Sequence, residues 1–212
     1  MKERPIIMTA ESVRAILDGH KTMTRRVVKP GRTFPMQSDW ELEVLPNGGI
    51  IRQSKDDIVF SVKSGGLSKA MQDKIIRCPY GVPGDRLWVK ETYALDIPGC
   101  PNGVTYHADH VDPKGDGPAN PIKWKSPLFM PRKYSRITLE ILSVRVERVQ
   151  EMTYHDLEAE GMSGELGAAI EQYIKLWDSL NAKRGYPWAD NPWVFVIKFE
   201  AAQGETSMRN PG

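Results

Sequence analysis

The sequence predicts an α+β fold built on a small, mixed, barrel-like β-sheet with flanking helices. Three observations predict it. The strand-like runs are short or alternate with a period of two, one helical pattern falls early between the first two of them, and two helical patterns fall late, ahead of a closing apolar strand. The chain of 212 residues is read as one domain over residues 1–200. A chain of this size buries about 70% of its unfolded surface, enough for a real core.

"RPIIM" is a short first strand, and "TAESVRAILDG" is a helix. Thr9 suits the N-cap, Val13, Ile16 and Leu17 form an apolar face, and Gly19 suits the left-handed position after the last turn. "TRRVVK" follows as a strand and stops at Pro30. Over residues 33–80 the periodicity weakens, as expected of an insertion: "WELEVL" and "IIRQ" around "NGG" suggest a hairpin, and "DIVFSVK" a strand. "GVPGDRLWVKETY" is a turn feeding a strand, with Leu87, Val89 and Glu91 on one face and Trp88 and Lys90 on the other. Residues 96–122 form a second, loop-dominated insertion rich in Gly, Pro and Asp.

"SRITLEILSVRVERV" alternates over more than ten residues, and the change of phase between Ile141 and Val144 predicts a bulge near Ser143. Thr153 and Asp156 have capping-box spacing for a short helix over 154–160, stopped at Gly161. "ELGAAIEQYIKLWDSLNAKRG" is the strongest helix, with Leu166, Ile170, Tyr173, Ile174, Trp177 and Leu180 on its apolar face. "WVFVIKFE" is a buried closing strand, and residues 201–212 are expected to be a flexible tail. Trp177, Trp188 and Trp193 are assigned to packing.

Composition excludes several classes. With 40% hydrophobic and 26% charged residues, no run near the ~20 apolar residues a bilayer requires, and no apolar leader, the expectation is a cytoplasmic protein without a membrane partner. Cys78 and Cys100 fall in no C-x-x-C pattern, so free thiols are expected. His107 and His110 in "HADH" are too few to hold a metal, and neither metal nor cofactor is expected. No obligate protein partner is evident. The net charge of +2 is unevenly spread. Residues 19–38 and 117–139 each carry five basic residues and no acid, a pattern that fits either one electropositive surface or two solvated loops.

The chemistry-bearing stretch is "GHKTMTRR". If partly buried beside Arg25 and Arg26, Lys21 would have its pKa lowered by desolvation and like-charge repulsion, and could then serve as a base toward the Thr24 hydroxyl. The same K-x-x-T spacing also fits an ordinary turn. Glu160, at the end of a short helix, has the setting of a proton carrier or of one surface glutamate among several.

"GHKTMTRR", "PGDRLWVKETY", "RITLEILSVRVERVQEMTYHDLEAEGM" and "PWVFVIKFE" together resemble, in order, the ASCH domain of the PUA-like superfamily. "SPLFMPRKYSRITL" and "LWDSLNAKRGYPWADNPWVFVIKF" are similar to its longer phage and prophage members. Small bacterial acetylcytidine amidohydrolases of that superfamily use a lysine and threonine in a K-T-x-T turn, matched by "KTMT", and a glutamate matched within "LEAEGM". The resemblance therefore implies Thr24 as nucleophile, Lys21 as base and electrostatic stabiliser, and Glu160 as proton shuttle. Its substrate would be an acylated base or nucleoside, free or within RNA. The same family resemblance also accommodates a non-catalytic RNA- or nucleotide-binding module, or a ribonuclease using the same cleft. For all three, Trp88 and Trp124 are candidates to stack a base, while Arg25, Arg26, Lys90, Arg132 and Arg136 are candidates to hold phosphate or ribose.

Overall fold

The computed structural model describes residues 1–29, 78–96, 100, 103–110 and 122–202, together with the strand backbones of 41–42, 53–54, 57–60, 62–63 and 76–77. Its strands are β1 (Glu3–Ile7), β2 (Met23–Val27), β3 (Glu41–Leu42), β4 (Gln53–Ser54), β5 (Asp57–Phe60), β6 (Val62–Lys63), β7 (Ile76–Arg77), β8 (Arg86–Lys90), β9 (Tyr93–Leu95), β10 (Val104–Tyr106), β11 (Thr138–Arg148) and β12 (Trp193–Ala201). Its α-helices are α1 (Ala10–Leu17), α2 (Tyr154–Ala159) and α3 (Leu166–Asn181). The architecture is α+β, with a mostly antiparallel five-stranded sheet in the order β1-β8-β11-β12-β2. Only β1 and β8 run parallel. The two ends of this order, β1 and β2, are linked by a side chain: Arg26 Nη2 donates to the Ile7 carbonyl at 2.7 Å.

β12 explains how two cores form. Residues Val194 to Ile197 are all buried, and successive side chains go to opposite faces. Phe195 and Ile197 join one core with Ile6, Val13, Leu87 and Leu139, under α1. Val194 and Val196 join the other with Tyr173 and Trp177, under α2 and α3. A run apolar at every position is what a strand covered on both sides requires.

Local signals place the remaining elements. The Thr9 hydroxyl accepts from Ser12 N at the start of α1, and Gly19 takes φ +76° beyond its end. In β11 the pairing shifts between Ile141 and Ser143, so Leu139, Ile141, Val144 and Val146 all reach the same core. Thr153 and Asp156 form the reciprocal capping box of α2. Trp177 lies in the second core and Trp188 packs on it, while Trp193 packs on the first.

Four expectations are corrected. The segment expected to be loop-dominated contains β10, which pairs with β9 just ahead of it; at three residues each, both are too short to show a period. The buried stripe of α3 is Ala169, Tyr173 and Trp177, whereas Leu166 and Leu180, near the two ends of the helix, are exposed. The closing strand continues to Ala201, and Ala202 is buried and donates to the Thr138 carbonyl, so pairing extends past the expected start of the tail. The expected hairpin around "NGG" is also corrected, since β3 pairs with β6 and β4 with β5 rather than with each other; residues 203–212 lie outside the described residues.

Candidate active site

Two chain termini of secondary structure meet to make the site. The backbone leaves α1 through Gly19, and the main chain of Lys21 bridges that of Glu160, the C-cap of α2. Thr22 N donates to the Ala159 carbonyl at 2.8 Å, and Lys21 Nζ donates to the Glu160 carbonyl at 2.7 Å. Two carbonyls orphaned by the end of α2 are thereby satisfied from the β2 side. Gly161 makes the approach possible. It holds φ +86°, and a Cβ there would stand 3.0 Å from Ala15 Cβ and 3.3 Å from Lys21 Cβ.

Lys21 Nζ also meets Glu160 Oε2 at 2.6 Å, with both side chains at most 5% exposed. Burial lowers the Lys21 pKa from its usual value. Glu160 opposes that shift, while Arg26 and Arg25 reinforce it. Tyr173, buried on α3, is pushed well above its ordinary value by burial and by the nearby Glu160 charge.

Arg25, expected to hold phosphate, is instead wholly buried among carboxylates. Its guanidinium reaches Glu147 Oε1 at 2.5 Å, Asp156 Oδ2 at 3.1 Å and Glu160 Oε1 at 3.4 Å. Arg145 takes the remaining oxygens, Glu147 Oε2 at 2.8 Å and Asp156 Oδ1 at 2.9 Å. Each of the three carboxylates thus bridges two cations, one oxygen apiece. An isolated charge at such depth would be strongly disfavoured, so mutual pairing is what makes the cluster tolerable. Sequence reasoning missed Arg145, Glu147, Asp156 and Tyr173. Arg145 and Glu147 alternate with Val144 and Val146 and so read as a solvent face; their charge on both sides of a valine was the available signal.

Thr24 is buried on β2, but on the other side of the strand from Arg25. It pairs across to Ile197 of the first core, whereas Arg25 pairs to Val196 of the second. Among the described residues the Thr24 hydroxyl makes no hydrogen bond to Lys21 or Glu160. The structure therefore brings Lys21 and Glu160 together and leaves Thr24 buried nearby in sequence, on the opposite strand face from Arg25.

The other expected binding residues fall elsewhere. Arg26 spans the seam between β2 and β1. Arg136, also expected to grip a ligand, forks onto Glu91 at 2.9 and 3.0 Å and onto Asp109 at 2.8 and 2.8 Å, with its guanidinium 4.0 Å from the Tyr106 ring centre. Arg132 contacts Glu3 and Thr138. Trp88 is half-buried under Lys90, whose ammonium lies 5.5 Å from the ring centre and donates to the Leu128 carbonyl. Trp124 meets the rings of His107 and His110 edge-on at 5.0 and 5.3 Å, and His110 Nε2 pairs with the Thr105 hydroxyl at 2.8 Å. Cys78 and Cys100 are free thiols. Among the described residues no helix is long and apolar enough to cross a membrane. No family model, curated protein or solved structure matches this chain.

Proposed function

We propose that this chain is an ASCH-type amidohydrolase of the PUA-like superfamily, its five-stranded sheet a small barrel of that type carrying two insertions. It hydrolyses an acylated base or nucleoside of the acetylcytidine kind and needs no cofactor. The observation that carries this reading is the buried Lys21–Glu160 pair, formed by residues 139 positions apart at the meeting of two element ends. A lysine with a lowered pKa, bonded to a carboxylate, is equipped to pass a proton. In this reading the Thr24 hydroxyl attacks the acyl carbon, its proton passes to the Lys21–Glu160 pair, and Glu160 returns a proton to the departing amine. Water then releases the acyl group from Thr24.

The test is release of acetate from acetylated cytidine in the presence of a chelator. Wild-type protein turns over, while Thr24→Ala falls to background with little change in melting temperature. Lys21→Arg and Glu160→Gln, which disturb a buried charge pair, fall to background as folded proteins with a lowered melting temperature. Lys21→Arg is diagnostic because a guanidinium stays protonated at any usable pH. One observation favours the second reading, an RNA- or nucleotide-binding module without catalysis: the Thr24 hydroxyl is bonded to neither partner of the pair. Single-stranded RNA binding with no turnover of any acylated nucleoside would overturn the hydrolase and leave the module; cleavage of that RNA would point to a ribonuclease.

A further inference from the structure

We propose that Arg25 is a positioning residue for Glu160, acting through a relay of bridging carboxylates that fixes where the Glu160 charge sits. The inference rests on the proposed function for its kinetic arm only. Glu160 Oε2 belongs to Lys21 at 2.6 Å, and Glu160 Oε1 faces Arg25 Nη1 at 3.4 Å. Arg25 cannot turn away, because its remaining nitrogens are taken. Nε and Nη2 lie 3.1 and 2.5 Å from Glu147 Oε1, and Nη2 lies 3.1 Å from Asp156 Oδ2. Those two carboxylates are themselves held by Arg145. Asp156 is further fixed by Thr153 N at 3.0 Å, which ties the relay to the first turn of α2 while Glu160 ends the same helix.

The relay has a physical consequence for Glu160. The groups facing it are Lys21 from the start of β2, Arg25 from within β2 and Tyr173 from α3, with Asp156 one turn back on α2 and Glu147 across on β11. Arg25 is the one cation among them whose charge does not depend on pH in any usable range. It therefore keeps the Glu160 carboxylate aimed whether or not Lys21 holds its proton. The fork geometry matters as much as the charge, since a lysine's three donors radiate from a single nitrogen and cannot span the three carboxylates set around a guanidinium.

The experiment compares wild-type protein with Arg25→Lys, which keeps the charge and is expected to fold, and with Arg25→Met as the severe case. Carbon-detected NMR at neutral pH compares the glutamate carboxyl signals, with the Glu160 signal assigned by its loss in Glu160→Gln. In Arg25→Lys the Glu160 carboxyl signal moves and broadens relative to wild type, as expected of a carboxylate that has lost one of its two fixed partners. On acylated cytidine, kcat falls about tenfold to a hundredfold, as for a misplaced catalytic group, while KM stays nearly unchanged. A folded Arg25→Lys protein with an unmoved Glu160 signal overturns the proposal, as does wild-type kcat. If wild-type protein hydrolyses no acylated nucleoside, the proposed function fails, and the NMR shift alone still decides whether Arg25 positions Glu160.

Discussion

Arg25 and Arg136 each face more than one carboxylate, yet the company they keep is different. Arg136 forks onto Glu91 and Asp109, stacks on Tyr106, and shares its carboxylates with no lysine. Burial would lower its pKa, but the hydrogen bonds to Glu91 and Asp109 outweigh that and hold the guanidinium charged. Arg25 shares every carboxylate with a second cation, and one of those cations is a lysine whose proton is held less tightly than usual. A closed fork is a lock that joins β8 and the 107–109 turn to the start of β11. A chain of bridging carboxylates ending in a lysine is a lock whose last link can exchange a proton. Burial alone does not separate the two; the chemistry of the last cation does.

The largest effect that would break this contrast is expected at Arg136. Arg136→Met leaves the Glu91 side chain, 2% exposed, without its bidentate partner. Removing one member of a buried pair costs about 3–5 kcal/mol, measurable as a lowered urea midpoint. The surviving folded protein should hydrolyse acylated cytidine with unchanged kcat and KM. A rise in KM would mean that Arg136 meets substrate after all, and that the lock is also a grip.

Next in size is Lys21→Met. Glu160 keeps Arg25, so the loss should stay within about 1.5–3 kcal/mol, the range for hydrogen bonds to charged groups. Turnover should vanish in full. Loss of stability without loss of turnover would make Lys21 a helix cap and nothing more.

The pair itself was legible in the sequence, but its surroundings were not. "KTMT" and "LEAEGM" marked Lys21 and Glu160 through the family resemblance they carry, whereas spacing and helix position alone left an ordinary turn and one surface glutamate among several. Thr24 could not be oriented from spacing, because its face depends on pairing with Ile197, far along the chain. The acidic partners of Arg25 and Arg136 were hidden for the same reason. Basic residues without acidic neighbours in sequence acquired acidic neighbours through the fold: Glu147, Asp156 and Glu160 for one, Glu91 and Asp109 for the other. Elements with strong local signals, such as the capping box at Thr153 and the phase change in β11, matched closely. β9 and β10 did not, since three residues cannot display a period.

Acid sharpens the comparison further, because the clusters respond with opposite sign. Burial raises the Glu91 pKa more than Arg136 lowers it. Its contribution to stability is full below the unfolded value of about 4.3 and is lost as pH rises through the folded value. Asp156 is the reverse: burial pushes its pKa up, but the Thr153 N–H and the Arg25 and Arg145 charges bring it below normal. Its contribution is full above about 3.9 and is lost as pH falls through the folded value. Between about pH 5 and 3, amide exchange protection, corrected for intrinsic rate, should therefore fall at Thr153 and hold or rise around Glu91. Protection falling equally at both places would show that the two clusters respond to acid as one unit.

The smallest effect isolates the geometry of the site from its charge. Gly161 and Gly185 share φ +86°, a conformation that costs a residue bearing Cβ about 1–2 kcal/mol. At Gly185 a Cβ would meet nothing within 4 Å, so Gly185→Ala should lose about that amount and leave turnover untouched. At Gly161 the same Cβ would press on Ala15 at 3.0 Å and on Lys21 at 3.3 Å. Gly161→Ala must relieve that contact by moving the end of α2 away from the start of β2, which lengthens the Lys21–Glu160 bonds. Its stability loss should exceed that of Gly185→Ala, and kcat should fall with it. The backbone strain is common to both variants, so the difference between them reports only the closeness of α2 to Lys21. Equal losses in stability and equal kcat would mean that the site tolerates a wider gap, and that the tight junction serves the fold more than the chemistry.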